Sequence, residues 1–242
     1  MSSSPSRDLR LYGTAQPVAE LQQIQFGDLT FLAQGTQLRR LCLRGKEIMR
    51  SVGLVIRDGF WGTHELIQHR IDTREQDQRW WRQIEGVVVA ADAEPVLDWT
   101  VRMEVASDRL SIHVELEARR DFSTCRAGLM LLHPLAGVVG APVSVLHSDG
   151  RLEEGVFPEL ISPSQPFFDI RGLSHSPAPG LTLDWQLRGD VFEMEDQRNW
   201  SDASFKTYNR PLTWPCPYVI AEGERIEQCI ELRIGRHQEY RP

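Results

Sequence analysis

The sequence has no long apolar run and no excess of positive charge. No stretch approaches the roughly 18 consecutive apolar residues of a membrane-spanning helix, so we expect no membrane association. Lys and Arg number 27 against 34 Asp and Glu, a net charge of −7 that argues against a nucleic-acid partner. The first residues lack the apolar core of a secretory leader. We therefore predict a disordered tail over residues 1–10 and a cytoplasmic location.

Cysteine is scarce and widely spaced, and several catalytic motifs are missing. No CxxC pair occurs, so the spacing predicts neither a zinc site nor a redox motif. The absence of a G-x-S-x-G elbow, a P-loop and a dinucleotide fingerprint argues against the enzymes that use them. We expect no cofactor, no metal and, in a reducing cytoplasm, four free thiols. These cysteines are Cys42, Cys125, Cys216 and Cys229.

Helix signals are also few, whereas strand signals recur along the chain. Residues 97–105 and 110–116 alternate apolar and polar side chains, and Ser107 to Arg109 join them as a hairpin. Frequent Pro and Gly favour many short strands, about 12 to 16 in a chain of 242 residues. The sequence therefore predicts an all-β protein. We expect a large antiparallel β-sandwich that forms a single domain over residues 11–242, with few helices.

The segment from Phe192 to Tyr208 mixes carboxylates, cations, amides and aromatic rings. Apolar ring faces beside hydrogen-bonding groups are what a small sugar or sugar lactone needs from a binding site. In an extended strand Glu193 and Glu195 lie on the same face, where one carboxylate can raise the pKa of the other. The alternative interpretation is a buried ion-pair network that holds a long loop in place.

The residues of this segment and of a second strand, distant in the sequence, supply the candidate site. His133 ends an apolar strand before Pro134 and is an acid–base candidate together with Glu193 and Glu195. Alternatively, His133 bonds a backbone carbonyl and has only a structural role. The substrate-binding candidates, which would donate hydrogen bonds or stack on a sugar ring, are Arg126, Arg198, Asn199, Trp200, Lys206 and Tyr208.

The stretch from Glu193 to Leu212, followed by residues 214–218, resembles the signature of the D-apionate lactonase family. The segments 126–135 and 157–170 are also similar, so the resemblance covers roughly residues 40 to 235. It implies a hydrolase that opens a sugar lactone, or a protein derived from one. The His133–Pro134 strand end and the many strands are similar to the galactose-mutarotase-like supersandwich, which implies sugar binding on a concave sheet.

Three functions compete on this basis. The first is an enzyme that acts on a sugar lactone, with aldose mutarotation or epimerisation as variants that use the same groups. Lactone hydrolysis needs a base for water and donors for the developing oxyanion. The second is a non-catalytic carbohydrate-binding module that stacks a ring on Trp200 or Trp61. The third is an interaction domain in which the charged segment is purely structural.

Overall fold

The computed structural model describes residues 6–12, 20–90 and 93–236, and within them strands account for nearly all regular structure. One helix, α1, covers Arg7–Tyr12, and a 3₁₀ turn covers Gln197–Trp200. The strands, from β1 to β18 in chain order, are Gln22–Phe26, Leu29–Gln34, Gln37–Leu43, Lys46–Arg57, Ile67–Gln76, Arg79–Val89, Pro95–Ala106, Arg109–Ala118, Phe122–Thr124, Arg126–Pro134, Pro142–His147, Leu152–Val156, Ile170–Ala178, Leu181–Arg188, Phe192–Asp196, Ser204–Asn209, Tyr218–Ile220 and Arg225–Arg236.

Sixteen of these strands form one curled antiparallel sheet. Its strands follow the order β1-β2-β3-β4-β10-β16-β15-β13-β14-β18-β8-β7-β6-β5, and β11 and β12 attach at β13. The remaining two, β9 and β17, pair as a separate ribbon. The all-β antiparallel prediction is confirmed, whereas the described strands outnumber the 12 to 16 expected, because several are only three to six residues long.

The sheet curls until its two halves enclose one apolar core. Phe31 of β2 packs edge-on against Trp80 of β6, with ring centroids 5.1 Å apart. Period-2 alternation supplies the core face: in β7 Leu97, Trp99 and Val101 are buried, while the residues between them are half-buried. The predicted hairpin of β7 and β8 is confirmed, with Ala106 paired to Arg109 across a tight turn.

Two expectations concern the ends of the chain and the membrane. Residues 1–5 of the predicted tail lie outside the described residues, and α1 occupies Arg7–Tyr12 at the end of the same segment. The helices of residues 6–12, 20–90 and 93–236 are too short to cross a membrane.

The prediction of four free thiols is wrong for one pair. Cys125 and Cys216 form a disulfide with their Cα atoms 5.1 Å apart, whereas Cys42 and Cys229 are free. The β9–β17 ribbon explains the pairing, because Cys125 directly follows β9 and Cys216 lies two residues before β17. The two cysteines are 91 residues apart in the sequence, so no local spacing marked them as partners.

Removing this disulfide should destabilise the fold substantially. A cross-link over a loop of this length restricts the unfolded chain, and its loss costs about 2–4 kcal/mol of unfolding free energy. We expect that loss for the double variant Cys125→Ser/Cys216→Ser in urea unfolding, and a much smaller one for the control Cys42→Ser. Thiol titration of denatured, unreduced protein should find two free groups. Four free groups would contradict the disulfide.

Candidate functional site

Three neighbouring strands place the charged residues of the candidate site on one face of the sheet. In the β15–β16 pair, Glu193 lies opposite Tyr208 and Glu195 lies opposite Lys206. Residues that alternate with these, such as Met194 and Phe205, point into the core. Arg126 begins β10, the strand on the other side of β16. We call Arg126, Glu193, Glu195, Lys206 and Tyr208 the Arg126 site.

Glu195 and Lys206 form the half-exposed part of the Arg126 site. The Lys206 Nζ lies 2.9 Å from the Glu195 Oε2, and the Trp200 indole nitrogen donates to the Glu195 Oε1 at 2.8 Å. Trp200 itself is 71% exposed, so its ring is available at the rim of the site. The ammonium of Lys206 also lies 4.9 Å from the centroid of the Tyr208 ring.

Glu193 forms the buried part of the site. Its Oε1 accepts hydrogen bonds from the Tyr208 hydroxyl and, at 2.9 Å, from the backbone amide of Leu212. Its Oε2 is buried and has no hydrogen-bond partner among the described residues. Burial raises the pKa of Tyr208, and the bond to Glu193 raises it further, so Tyr208 remains a phenol at neutral pH.

Arg126 is a buried cation for which the described residues supply no hydrogen-bond acceptor. Its guanidinium lies 4.0 Å from the Tyr208 ring centroid and 5.4 Å from that of Trp61, and only 7% of the residue is exposed. Among the residues that the structure describes, no acceptor bonds this guanidinium, and its Nε is buried without a partner. Stacking occupies the faces of the guanidinium and leaves its edge available for a carbonyl or carboxylate oxygen.

The pKa shifts follow from burial and from the alternating charges. Burial lowers the pKa of Lys206, and nearby Arg126 and Arg57 lower it further, against the opposing effect of Glu195. Burial raises the pKa of Glu195, but Lys206, Trp200 and Arg126 together outweigh burial and leave it below its usual value. Glu195 is therefore ionised at neutral pH. The site combines ionised carboxylate and cationic donors beneath exposed indole rings.

Comparison with known proteins shows the family of this chain. The model of the family described as "D-apionate lactonase, N-terminal domain" matches residues 9–237. This chain belongs to that family. The resemblance noted in the sequence is thereby confirmed.

One curated relative carries the family's activity in its name. The D-apionate lactonase of Brucella anthropi is 37% identical over 225 residues, which are 93% of this chain and 37% of that protein. The chain therefore spans little more than a third of the relative's length.

Comparison with solved structures shows that the chain has the mutarotase-like fold. The Slr1438 protein of Synechocystis sp. PCC 6803 superposes with a TM-score of 0.58 at 8% identity, covering 98% of this chain and 99% of that one. A galactose mutarotase-like protein of Clostridium acetobutylicum gives 0.56 at 7% identity, with 90% and 96% coverage. A GH36 α-galactosidase of Geobacillus stearothermophilus gives 0.55 at 8% identity, with 90% and 41% coverage. At these identities the likeness shows the fold alone.

The structure places His133 on the opposite face of the sheet from the two glutamates. His133 pairs with Phe205 in the β10–β16 register and is completely buried, with its Nε2 2.9 Å from the Thr207 Oγ1. Burial lowers the pKa of His133 well below its usual value, and His175 lowers it further. His133 therefore contacts the 193–208 segment from the core side of the sheet, whereas Glu193 and Glu195 lie on the other side. The structure thus corrects the expectation that His133 shares a pocket with the two glutamates.

Arg198 and Asn199 stabilise the loop that follows β12. Arg198 pairs with Asp196 at 2.7 Å and donates to the carbonyl oxygens of residues 158–160. Asn199 donates to the carbonyl oxygens of Ser162 and Asp196. These contacts match the structural alternative for the segment, so two of its polar residues hold a loop while Glu195, Trp200 and Lys206 line the site.

Two contacts of the site were not predicted from the sequence: the position of Arg57 beside Arg126, and the hydrogen bond from the backbone amide of Leu212 to Glu193. Arg57 lies opposite Arg126 in the β4–β10 register, and its guanidinium bonds the carbonyl of Trp61, which lines the site. No local sequence pattern marks either contact, because each depends on which distant parts of the chain become neighbours in the fold. In the described part of the chain no cluster of His, Cys, Asp and Glu is arranged to hold a metal ion.

Proposed function

We propose that this chain binds the lactone of a sugar acid at the Arg126 site and takes part in its hydrolysis. The observation that carries the proposal is the buried guanidinium of Arg126, which has no hydrogen-bond acceptor among the described residues and whose edge the stacked rings leave uncovered. A buried donor without a partner costs about 1–3 kcal/mol. A ligand oxygen at this position removes that cost, so the site favours a ligand that carries a carbonyl or carboxylate group.

The remaining groups fit the other parts of a sugar lactone. Trp61 and Trp200 offer ring faces at the rim, 43% and 71% exposed, for the apolar face of the sugar. Glu195 is ionised and lies beside Lys206, so its oxygens can accept hydrogen bonds from ring hydroxyls or from water. The family name supplies the substrate class: we propose the lactone of D-apionate or a closely related sugar acid.

In the proposed hydrolysis, water attacks the carbonyl carbon of the lactone and Glu195 accepts the proton of that water. The carbonyl oxygen becomes an oxyanion, which Arg126 and Lys206 stabilise through charge-assisted hydrogen bonds. The bond from the carbonyl carbon to the ring oxygen then breaks, and the ring oxygen takes up the proton. The product is an open-chain hydroxy acid, whose carboxyl group releases its proton to water and remains opposite Arg126 as a carboxylate.

One observation favours a second candidate, in which the chain binds the lactone but does not hydrolyse it. The depressed pKa of Glu195 makes it a weak proton acceptor, since a base works best when its pKa lies near the operating pH. The chain also spans only 37% of the length of the related lactonase. In this second candidate, the Arg126 site positions the sugar for catalytic groups outside the described residues.

Incubation with the lactone of D-apionate tests the proposal and separates its two forms. Calorimetry should show one molecule of lactone bound per chain at the Arg126 site, and proton NMR should show faster ring opening than in buffer alone. Binding without faster ring opening would favour the binding-only form. A folded chain that neither binds nor opens the lactone would contradict both.

A further inference from the structure

A second arginine is held between two aromatic rings, in the same way as Arg126. Arg210 directly follows β16, and its guanidinium lies 3.8 Å from the Tyr218 ring centroid and 5.0 Å from that of Trp214. Its Nε is buried and has no hydrogen-bond partner among the described residues. The rings again cover the faces of the guanidinium, and the described residues supply no acceptor for its donating edge.

This arginine lines a cavity that is separate from the Arg126 site. The cavity has a volume of about 380 Å³ and lies between β17, the start of β18 and the turn that joins β14 to β15. Its walls include Arg210, Tyr218, Asp190, Glu227 and Arg225, none of which belongs to the Arg126 site. Its volume lies within the roughly 300–1,000 Å³ that is usual for sites of small molecules.

The cavity also presents two carboxylates whose oxygens are unused. Within the described residues, the side chains of Asp190 and Glu227 have neither a hydrogen bond nor an ion pair, although both line the same cavity as Arg210. Two other charged residues of the walls already have partners: Arg225 pairs with Glu117 at 3.0 Å, and Glu224 accepts a hydrogen bond from the backbone amide of Ala221 at 2.9 Å. The free groups of the cavity are thus one cation with several donors and two anions that act only as acceptors.

We propose that this cavity is a second ligand site and that it takes a polyhydroxy carboxylate. The carboxylate of such a ligand pairs with the free edge of Arg210, and its hydroxyls donate to Asp190 and Glu227. A neutral sugar leaves the guanidinium edge without an anion. A ligand that is only an anion meets two carboxylates to which it can donate nothing, so neither class satisfies all three side chains.

This assignment does not depend on lactone hydrolysis, although opening a sugar-acid lactone produces a molecule of this class. The two sites differ in the ligand that each selects. The Arg126 site has Lys206 beside the arginine and an ion-paired carboxylate, which suits the carbonyl oxygen of a lactone. The cavity of Arg210 has two unpaired carboxylates and suits an open-chain acid with several hydroxyls.

Calorimetry with D-gluconate, a polyhydroxy carboxylate, tests the second site once the first has been disabled. The variant Arg126→Gln should still bind one equivalent of D-gluconate. The double variant Arg126→Gln/Arg210→Gln should bind it at least about tenfold more weakly, because a bidentate charge-assisted pair is lost. Sorbitol, which lacks the carboxylate, should not compete with D-gluconate for this site, and acetate, which lacks hydroxyls, should not either.

Two further variants keep the test decisive. Arg44→Gln, which removes an exposed arginine that lies outside the cavity and pairs with Asp28, should leave the affinity for D-gluconate unchanged in the Arg126→Gln background. Asp190→Asn should weaken it without removing the arginine, which covers the case that the double variant fails to fold. The proposal is overturned if Arg126→Gln binds no D-gluconate, or if Arg210→Gln or Asp190→Asn leaves the affinity as it was. Equal binding of sorbitol would overturn the ligand class.

Discussion

Replacing Glu195 with Gln should lower the rate of lactone hydrolysis by roughly 10²- to 10⁴-fold while the lactone still binds. Gln keeps the shape of Glu and can still accept from Trp200, but it cannot take a proton from water. The loss should therefore fall on kcat, whereas KM changes little. Steady-state kinetics on the lactone of D-apionate, together with the melting temperature of each protein, measure both effects.

Trp200→Ala is the matched control for this variant, since it removes the other partner in the same hydrogen bond. It deletes an exposed ring face, so it should raise KM and leave kcat nearly unchanged. If Glu195 has only a structural role, Glu195→Gln leaves Lys206 half-buried without its counter-charge and lowers the melting temperature, with no specific effect on kcat. A normally folded Glu195→Gln protein with full activity would exclude Glu195 as the base.

Lowering the pH from about 6.5 to about 4.5 should destabilise the fold by about 2–3 kcal/mol through His175 alone. Burial lowers the pKa of His175 to about 4, with an opposing effect from Asp184. The unfolded chain, with an ordinary pKa near 6.5, binds this proton first as the pH falls. Stability is therefore complete above that value and declines towards the folded pKa. His133, whose pKa is also lowered by burial, acts in the same direction.

Urea unfolding of the wild type and of His175→Phe at pH 7 and pH 4.5 measures this effect. Phe cannot be protonated and its ring fits among Phe157 and His133, which lie 5.3 and 5.9 Å from the His175 ring. The acid-induced loss should shrink by about 2–3 kcal/mol in the variant. Carboxylates with lowered pKa values, such as Glu195 and Asp196, also stabilise the fold less when they are protonated, which occurs only near and below pH 4.5. Both proteins contain these carboxylates, so this loss affects the two alike. An identical loss in both proteins would contradict the assignment.

The local parts of the fold and site were predictable because they depend on strand periodicity. Alternation in residues 97–116 gave the β7–β8 hairpin, and alternation in the 193–208 segment put Glu193 and Glu195 on one face. The same rule applied to β10 groups His133 with the buried Leu129 and Leu131, which indicates a core position. The position of His133 at the end of a strand favoured an acid–base role, and this interpretation was preferred to the core position that the alternation indicates.

The remaining parts depend on which distant strands become neighbours, and no local pattern shows that. Arg126 meets Tyr208 only because β10 and β16 pair, and Arg210 meets Tyr218 only because the chain returns to β9 through β17. The Cys125–Cys216 disulfide follows from the same return. A sequence therefore identifies the residue types of a site more readily than it shows which of them become neighbours, and it does not show that an arginine is buried without an acceptor.

A calorimetric titration of the lactone of D-apionate into wild type, Arg126→Gln and the surface control Arg188→Gln tests most directly whether the lactone binds at the Arg126 site. Arg188 is an exposed arginine paired with Glu231, so its loss should not affect binding. We expect that Arg126→Gln keeps the fold but binds the lactone at least about tenfold more weakly than wild type and Arg188→Gln. Equal affinity in all three folded proteins would show that the Arg126 site is not where the lactone binds.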